Sequence, residues 1–276
     1  MRRDEIAARL RAAGIEDYHE EAKRLFCHYS GMSRAAALAE PGADCSAPAL
    51  LAALSRREAR EPLAYILGRT WFFDECYHVS PACLIPRPET ELLVQYAIDS
   101  LPQGAHFADL CTGSGCIAIS TLVHRPDTRA EAYDISQKAL ALAKQNAQEN
   151  GVADRVCFYE ADLLAARAAD FGGARYDAIL SNPPYVTEEE WRAVAPELHH
   201  EPLCAFLGGK DGLVFYRHFV TALAPLLKDG GQFIFEIGWR QAEGLRALAA
   251  EGGFTCEIKR DFAGQDRMAL LTKATD

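Results

Sequence analysis

The sequence predicts an α/β fold in which a doubly wound sheet, with helices on both faces, follows a small helical domain. Three observations carry this. From about residue 101 onward, apolar strand segments alternate with amphipathic helix segments, the pattern of a sheet covered on both sides. The final two strand segments, 255–259 and 268–272, are separated only by Asp261-Phe262-Ala263-Gly264-Gln265-Asp266 and its flanks, too short for a crossover helix, so the sheet ends in an antiparallel hairpin. Before about residue 60 the pattern is one of short helices. The 276 residues, 49% apolar and 25% charged, supply the core that such a fold needs.

In chain order, the segment from Ile6 to Arg60 reads as a helical bundle. Asp17 with Glu20 resembles a capping box, Leu25 and Phe26 are apolar positions, and Gly31 is a stop signal. Ser46 is placed to cap a helix carrying Leu50, Leu51 and Leu54, and Glu61-Pro62 ends it. The aromatic run from Tyr65 through Trp71-Phe72-Phe73 to Tyr77-His78-Val79 reads as a short hairpin between two units. Strands are expected at 106–110, 129–133, 156–159, 176–180 and 232–237, and helices at 115–123, 136–150, 213–227 and 241–250. The domain division is then 1–64, a hairpin linker at 65–85, and 86–276.

Composition narrows the function. A net charge of −10 argues against a protein that holds long nucleic acid, whose phosphates call for clustered lysine and arginine. Arg56, Arg57 and Arg60, mixed with Glu58 and Glu61, read as a solvated helix face. Nine cysteines with no C-x-x-C pair suit reduced thiols in the cytoplasm, and His199-His200 lacks partners at metal-ligand spacing, so no metal is expected. No stretch approaches the roughly 18 apolar residues of a membrane span. No nucleic-acid or membrane partner is expected, and the protein is taken as a monomer.

Ligands of doubly wound sheets bind outside the carboxyl ends of the strands, and four turns there draw attention. Asp109-Leu110-Cys111-Thr112-Gly113-Ser114-Gly115 lets backbone approach a ligand at a helix start. Asp134 can accept from both ribose hydroxyls of an adenosine, and Ala161-Asp162-Leu163 is placed to meet its base. Asn182-Pro183-Pro184-Tyr185 is the most informative. Its prolines hold the backbone extended, leaving the Asn182 oxygen and the Pro183 carbonyl as paired acceptors for an NH2 group. An amide or aromatic amine nitrogen has a delocalised lone pair; accepting both of its hydrogens aims that pair at an electrophile. Tyr185 would pack on the flat face of the group.

These turns resemble those of the class I S-adenosylmethionine-dependent methyltransferases, whose Rossmann-like seven-stranded sheet ends in an antiparallel strand. Asn-Pro-Pro-Tyr resembles the signature of their amino-group-methylating members. The runs Glu61-Pro62-Leu63-Ala64-Tyr65-Ile66-Leu67-Gly68, Pro86-Arg87-Pro88-Glu89-Thr90-Glu91, Glu201-Pro202 and Gly208-Gly209-Lys210-Asp211-Gly212-Leu213 resemble the release factor glutamine methyltransferases of the HemK and PrmC type.

That resemblance implies N5-methylation of the glutamine in the Gly-Gly-Gln motif of peptide chain release factors, with S-adenosyl-L-homocysteine as second product. It implies cofactor contacts at Cys111, Thr112, Gly113, Ser114, Gly115, Asp134, Leu163 and Asn182. Asn182, Pro183, Pro184 and Tyr185 would hold the glutamine, with Asn182, Pro183 and Tyr185 as the catalytic group. The helical domain, 1–64, would grip the release factor beyond the tripeptide. Two departures stand out. Cys111 replaces the family's first glycine, so a loop needing positive φ there would have to shift, and Leu163 stacks less well on adenine than an aromatic would. The competing readings are a DNA or RNA amino-methyltransferase, a ribosomal-protein glutamine methyltransferase, and a binding module without catalysis.

Overall fold

The computed structural model describes residues 1–273. The chain forms two compact units, one of Met1–Arg69 with Ala195–His200, the other of Thr70–Val194 with the chain from Glu201 onward.

The first unit is built from α1 (Arg3–Ala12), α2 (Tyr18–Ser30), α3 (Arg34–Ala39), α4 (Pro48–Glu58) and α5 (Leu63–Leu67). Their apolar faces meet in one cluster that includes Ile6, Leu10, Leu25, Phe26, Leu50, Leu54 and Ile66. Gly31, at φ 72, ends α2 as a left-handed cap. The expected capping box at its start is not formed: Asp17 makes no side-chain cap, and the Glu20 carboxylate pairs with Arg34 and Lys23. Nor does Ser46 cap α4, which starts at Pro48 after Ala47, where the fixed φ of proline suits the first turn.

Of the arginines expected on a solvated face, Arg56 is exposed and pairs with Glu61, whereas Arg57 is buried and structural. Arg57 is 5% exposed and forks onto Glu21 at 2.7 and 3.1 Å while also reaching Glu197, which Arg60 meets at 2.7 Å. Removing one partner from such a buried group costs about 3–5 kcal/mol, because it strands the remaining charge.

The hairpin begins later than the aromatic run suggests. Tyr65 and Ile66 belong to α5 and are buried, Gly68 at φ 70 stops that helix, and only β1 (Arg69–Phe72) and β2 (Glu75–His78) pair. The turn Phe73-Asp74 carries Phe73 at φ 54, with its N–H donating to Glu91 Oε1 at 2.9 Å.

In the second unit the main sheet comprises β3 (His106–Leu110), β4 (Arg129–Asp134), β5 (Val156–Glu160), β6 (Tyr176–Ser181), β7 (Leu227–Glu236), β8 (Phe254–Arg260) and β9 (Asp266–Lys273), in the order β5-β4-β3-β6-β7-β9-β8. β9 is antiparallel to both its neighbours; the pairings from β5 to β7 are parallel. Alternate residues of each central strand enter opposite cores. Phe107, Leu180, Ile234 and Leu270 join Leu93, Ile117, Ile119 and Leu122 from α6 (Glu91–Ser100) and α7 (Cys116–His124). Ala108, Ile179, Phe233 and Leu271 join Tyr216, Phe219 and Leu245 on the other face, which α10 (Val214–His218) and α11 (Ala242–Glu251) help to cover. Period-2 alternation of apolar residues on both faces is the reason these strands read as nearly continuous apolar runs. α8 (Gln137–Glu149) connects β4 to β5, and α9 (Glu188–Trp191) follows β6.

Two elements differ from expectation. The 213–227 helix is α-helical only to His218, then widens into a π-turn over Phe219–Leu223 and tightens into a 3-10 turn over Ala224–Leu226. Pro225 has no N–H to give and its ring crowds the carbonyl four residues back, which forbids a regular end. β7 starts at Leu227 rather than 232, but its register against β6 jumps from Tyr176↔Leu227 to Ala178↔Gln232, so the intervening residues bulge out through Gly230 at φ 75.

Candidate active site

Strand order reverses between β3 and β6, because the chain runs outward through β4 and β5 and then returns to the other side of β3. Leu110 pairs with Ser181 at the carboxyl ends of these two strands, so Cys111 and Asn182 are the first residues beyond neighbouring strand ends. A cavity opens there, with about 810 Å³ of non-atom space including its mouth. Its lining includes Cys111, Gly113, Asp134, Leu163, Asn182 and Pro184.

The glycine turn is left-handed at three points: Cys111 at φ 62, Gly113 at φ 56 and Gly115 at φ 83. The loop therefore keeps its path without a glycine at 111, and the cysteine carries a backbone strain of about 1–2 kcal/mol instead. Beneath it Asp109 is fully buried. Its Oδ2 accepts from Thr112 Oγ1 at 2.6 Å and Ala118 N at 3.2 Å, while Oδ1 has no partner among the described residues. Burial pushes this carboxyl up to about 7. Asp134 closes the turn from the next strand: Oδ2 accepts from Gly113 N at 2.8 Å and Oδ1 from Ser136 N at 2.9 Å. Burial raises it, against the pull of those backbone N–H groups.

Thr112, Ser114 and Gly115 do not line the cavity. The Thr112 hydroxyl is committed to Asp109, the Ser114 carbonyl accepts from Asn146 Nδ2 at 2.9 Å, and a Cβ on Gly115 would lie 2.8 Å from Ile119 and 3.1 Å from Ala143. They shape the turn from behind. Pro183 and Tyr185 are also absent from the lining. The Tyr185 hydroxyl donates to Glu236 Oε1 at 3.3 Å, and burial beside that carboxylate raises it to a direction of stronger protonation.

The proline turn is held by distant backbone. Gln241 Nε2 donates to the Tyr185 carbonyl at 3.0 Å and the Gly212 carbonyl at 3.1 Å, and Val186 exchanges backbone bonds with Phe206 and Gly208. A Cβ on Gly208 would sit 2.6 Å from the Pro184 oxygen, and one on Gly212, at φ 71, 2.3 Å from the Tyr185 oxygen. Gly208 and Gly212 are there because this loop lies directly against Pro184-Tyr185.

The family profile described as methyltransferase small domain matches residues 88–204, and that described as PrmC N-terminal domain matches 3–68. The release factor glutamine methyltransferase of Caulobacter vibrioides is 33% identical, with 96% of this chain and 93% of that protein aligned. The one from Cereibacter sphaeroides is 37% identical over 94% of this chain and 93% of its own length. This chain belongs to the release factor glutamine methyltransferase family. Among solved structures, the hMettl16 catalytic domain, crystallised with an RNA hairpin, superimposes with a TM-score of 0.57 at 17% identity, covering 72% of this chain and 76% of that one. That likeness establishes the fold alone, the class I methyltransferase fold that the strand order shows.

Seen as a member of the release factor glutamine methyltransferase family, the chain also has lining residues that sequence reading passes over. Ile135, Leu164, Phe215, Cys83 and Cys204 face the same cavity. Ile135 and Leu164 are 56% and 38% exposed and present apolar surface to the cavity. Ile135 was within reach as the residue after Asp134. The Pro-Arg-Pro-Glu-Thr-Glu run resolves into separate tasks: Arg87 pairs with buried Glu201, Thr90 bonds Glu236, and Glu91 anchors the hairpin turn. Glu201 also accepts from Ile85 N at 2.9 Å, tying the two sides of the cavity lip together. Among the described residues no group of His, Cys, Asp or Glu is placed to hold a metal ion, and no helix is long and apolar enough to cross a membrane.

Proposed function

We propose that this protein methylates the side-chain amide nitrogen of the glutamine in the Gly-Gly-Gln motif of peptide chain release factors, using S-adenosyl-L-methionine and leaving S-adenosyl-L-homocysteine. The observation that carries the reading is Asn182-Pro183-Pro184-Tyr185, intact beside the switch-point cavity, in a chain alignable over almost its full length with enzymes named for that activity.

The cavity's chemistry fits the cofactor. Each Asp134 oxygen takes one backbone N–H and keeps lone-pair capacity for a ribose hydroxyl. Ile135, Leu163 and Leu164 offer apolar cover to a flat base, and Cys111 and Gly113 bring backbone to the wall. S-adenosyl-L-methionine, when bound, supplies an electrophilic methyl group on a sulfonium. The protein's part is positioning. Asn182 Oδ1 and the Pro183 carbonyl accept the two amide hydrogens, holding the nitrogen with its lone pair aimed along the transfer line. That nitrogen would take the methyl of the bound cofactor, with the S–CH3 bonding pair staying on sulfur, and the surplus proton would leave the nitrogen for solvent, Asn182 and Pro183 serving only to hold and aim it.

A tripeptide buries too little surface to select one protein, so the helical unit, 1–69, is proposed to grip the release factor elsewhere. The net charge of −10 supports a protein rather than nucleic-acid substrate, and the protein is taken to act as a cytoplasmic monomer. Mass spectrometry of an unmethylated release factor incubated with enzyme and S-adenosyl-L-methionine tests this, with plasmid DNA and ribosomes as parallel acceptors. One added methyl on the Gly-Gly-Gln glutamine is the expected result. Transfer only to nucleic acid or a ribosomal protein overturns the substrate.

A further inference from the structure

An asparagine that recognises an NH2 group must present its oxygen. Its side-chain amide is nearly symmetric in shape, and flipped by half a turn it would set NH2 against NH2, two donors facing each other. Something must choose between the two orientations, and Asn182 has a candidate behind it. Asn182 Nδ2 donates to Thr90 Oγ1 at 3.2 Å, and Thr90 Oγ1 in turn donates to Glu236 Oε2 at 2.6 Å. Thr90 and Glu236 are each 2% exposed, and Ser181↔Phe235 pairing puts Asn182, the first residue beyond β6, next to Glu236, the last of β7.

We propose that Glu236, acting through Thr90, locks the Asn182 amide with its oxygen toward the substrate, making both residues positioning residues for the transfer. The inference rests on the reading that Asn182 accepts from a substrate NH2. The direction of the chain follows from proton count. Above about pH 7, where Glu236 is ionised and each of its oxygens accepts a hydroxyl, the carboxylate has no hydrogen to give, so the single Thr90 hydrogen goes to Glu236. What Thr90 then turns toward Asn182 is a lone pair, which admits Nδ2 and rejects Oδ1. The second Glu236 oxygen takes the Tyr185 hydroxyl at 3.3 Å, so one buried carboxylate reaches both ends of Asn182-Pro183-Pro184-Tyr185. Arg267 and Glu89 are the other charged groups that it feels. Such a burial is unfavourable for stability by itself, and burial pushes Glu236 up to about 7. Its position at the reacting end of the sheet gives it a use.

The test compares wild type, Thr90→Val and Thr90→Ser on a full-length release factor at about pH 8.5, where Glu236 is ionised, with S-adenosyl-L-methionine affinity measured by calorimetry. Valine keeps the shape and deletes the hydroxyl; kcat should fall about 10- to 100-fold while cofactor Kd stays within about threefold. Serine restores the hydroxyl and should recover at least about a third of wild-type turnover. Should the valine variant fail to fold, Thr90→Ala takes its place. Turnover within twofold of wild type after loss of the hydroxyl overturns the proposal, as does a serine variant as slow as the valine one. A substrate-independent readout is the Asn182 side-chain NH2 resonance, assigned by its loss in Asn182→Ala. It should move in Thr90→Val, and an unmoved signal also overturns the lock. If wild type itself adds no methyl to a release factor, the substrate reading fails, and the resonance still decides the orientation.

Discussion

The glycine turn at 111–115 and the proline turn at 182–185 stand side by side, beyond two paired strands, and are made rigid in opposite ways. The glycine turn is held chiefly from nearby. Its left-handed residues bend it, Asp109 ties down Thr112 and the helix start, and one carboxylate from the adjacent strand, Asp134, fixes Gly113. The proline turn is held from afar: Thr90, Gly208, Gly212, Glu236 and Gln241 come from four other parts of the chain. Local bending suffices where backbone must approach a ligand. The turn proposed to hold the acceptor pair is braced from several directions instead.

That contrast can be broken from either side. The largest effect should come from Asn182→Ala, lowering kcat by about 100- to 1000-fold with the fold retained in circular dichroism; unchanged turnover would remove Asn182 from the chemistry. Gly212→Ala attacks the distant support alone. Its Cβ would meet the Tyr185 oxygen at 2.3 Å and Gln241 Nε2 at 2.4 Å from a backbone at φ 71. A loss of about 3 kcal/mol, or about 8 °C in Tm, is expected.

Each turn also rests on a buried carboxyl, Asp109 and Glu236, raised to about 7 from ordinary values of 3.8 and 4.5. In the unfolded chain they ionise near those ordinary values, so the folded state holds extra protons between about pH 4 and 7. Stability from this source is complete below about pH 4 and is lost as pH rises to about 7, on the order of 4 kcal/mol for each carboxyl. Tm measured from about pH 4.5 to 8.5 should fall with pH up to about 7 and then level off, and Glu236→Gln should flatten part of the slope. On the glycine side, Asp134→Asn should raise KM for S-adenosyl-L-methionine about 10- to 100-fold, with kcat at saturation little changed. The smallest effect is Cys111→Gly, which relieves the strain at φ 62 and should stabilise by about 1 kcal/mol in urea unfolding.

The same contrast explains what the sequence made legible. The glycine turn could be read because its determinants lie within a few residues, and the sheet could be read because Phe233-Ile234-Phe235 and Leu270-Leu271 alternate between two cores. The distant supports could not, since nothing in local spacing links Thr90 to Asn182 or Gln241 to Tyr185. Glu236 offered a signal, a lone acid closing an apolar strand at its carboxyl end. Arg57 was misread because a mixture of charges looks the same whether its partners are water or the half-buried Glu21 and Glu197. The 213–227 helix was overextended because its apolar period continues through Pro225 although regular hydrogen bonding does not.

The position of β9 bears on how the molecule is made. It is the last of the described elements in chain order, yet it lies inside the sheet, with β7 on one side and β8 on the other. While the ribosome is still extending the chain, β8 can pack against α11 but has no strand to join, and β7 shows an unpaired edge. The nascent protein therefore carries an incomplete sheet until Asp266–Lys273 leaves the exit tunnel. A chaperone that shields an apolar strand edge would find its substrate in that interval, and a ribosome stalled before residue 266 would display a chain prone to edge-to-edge association.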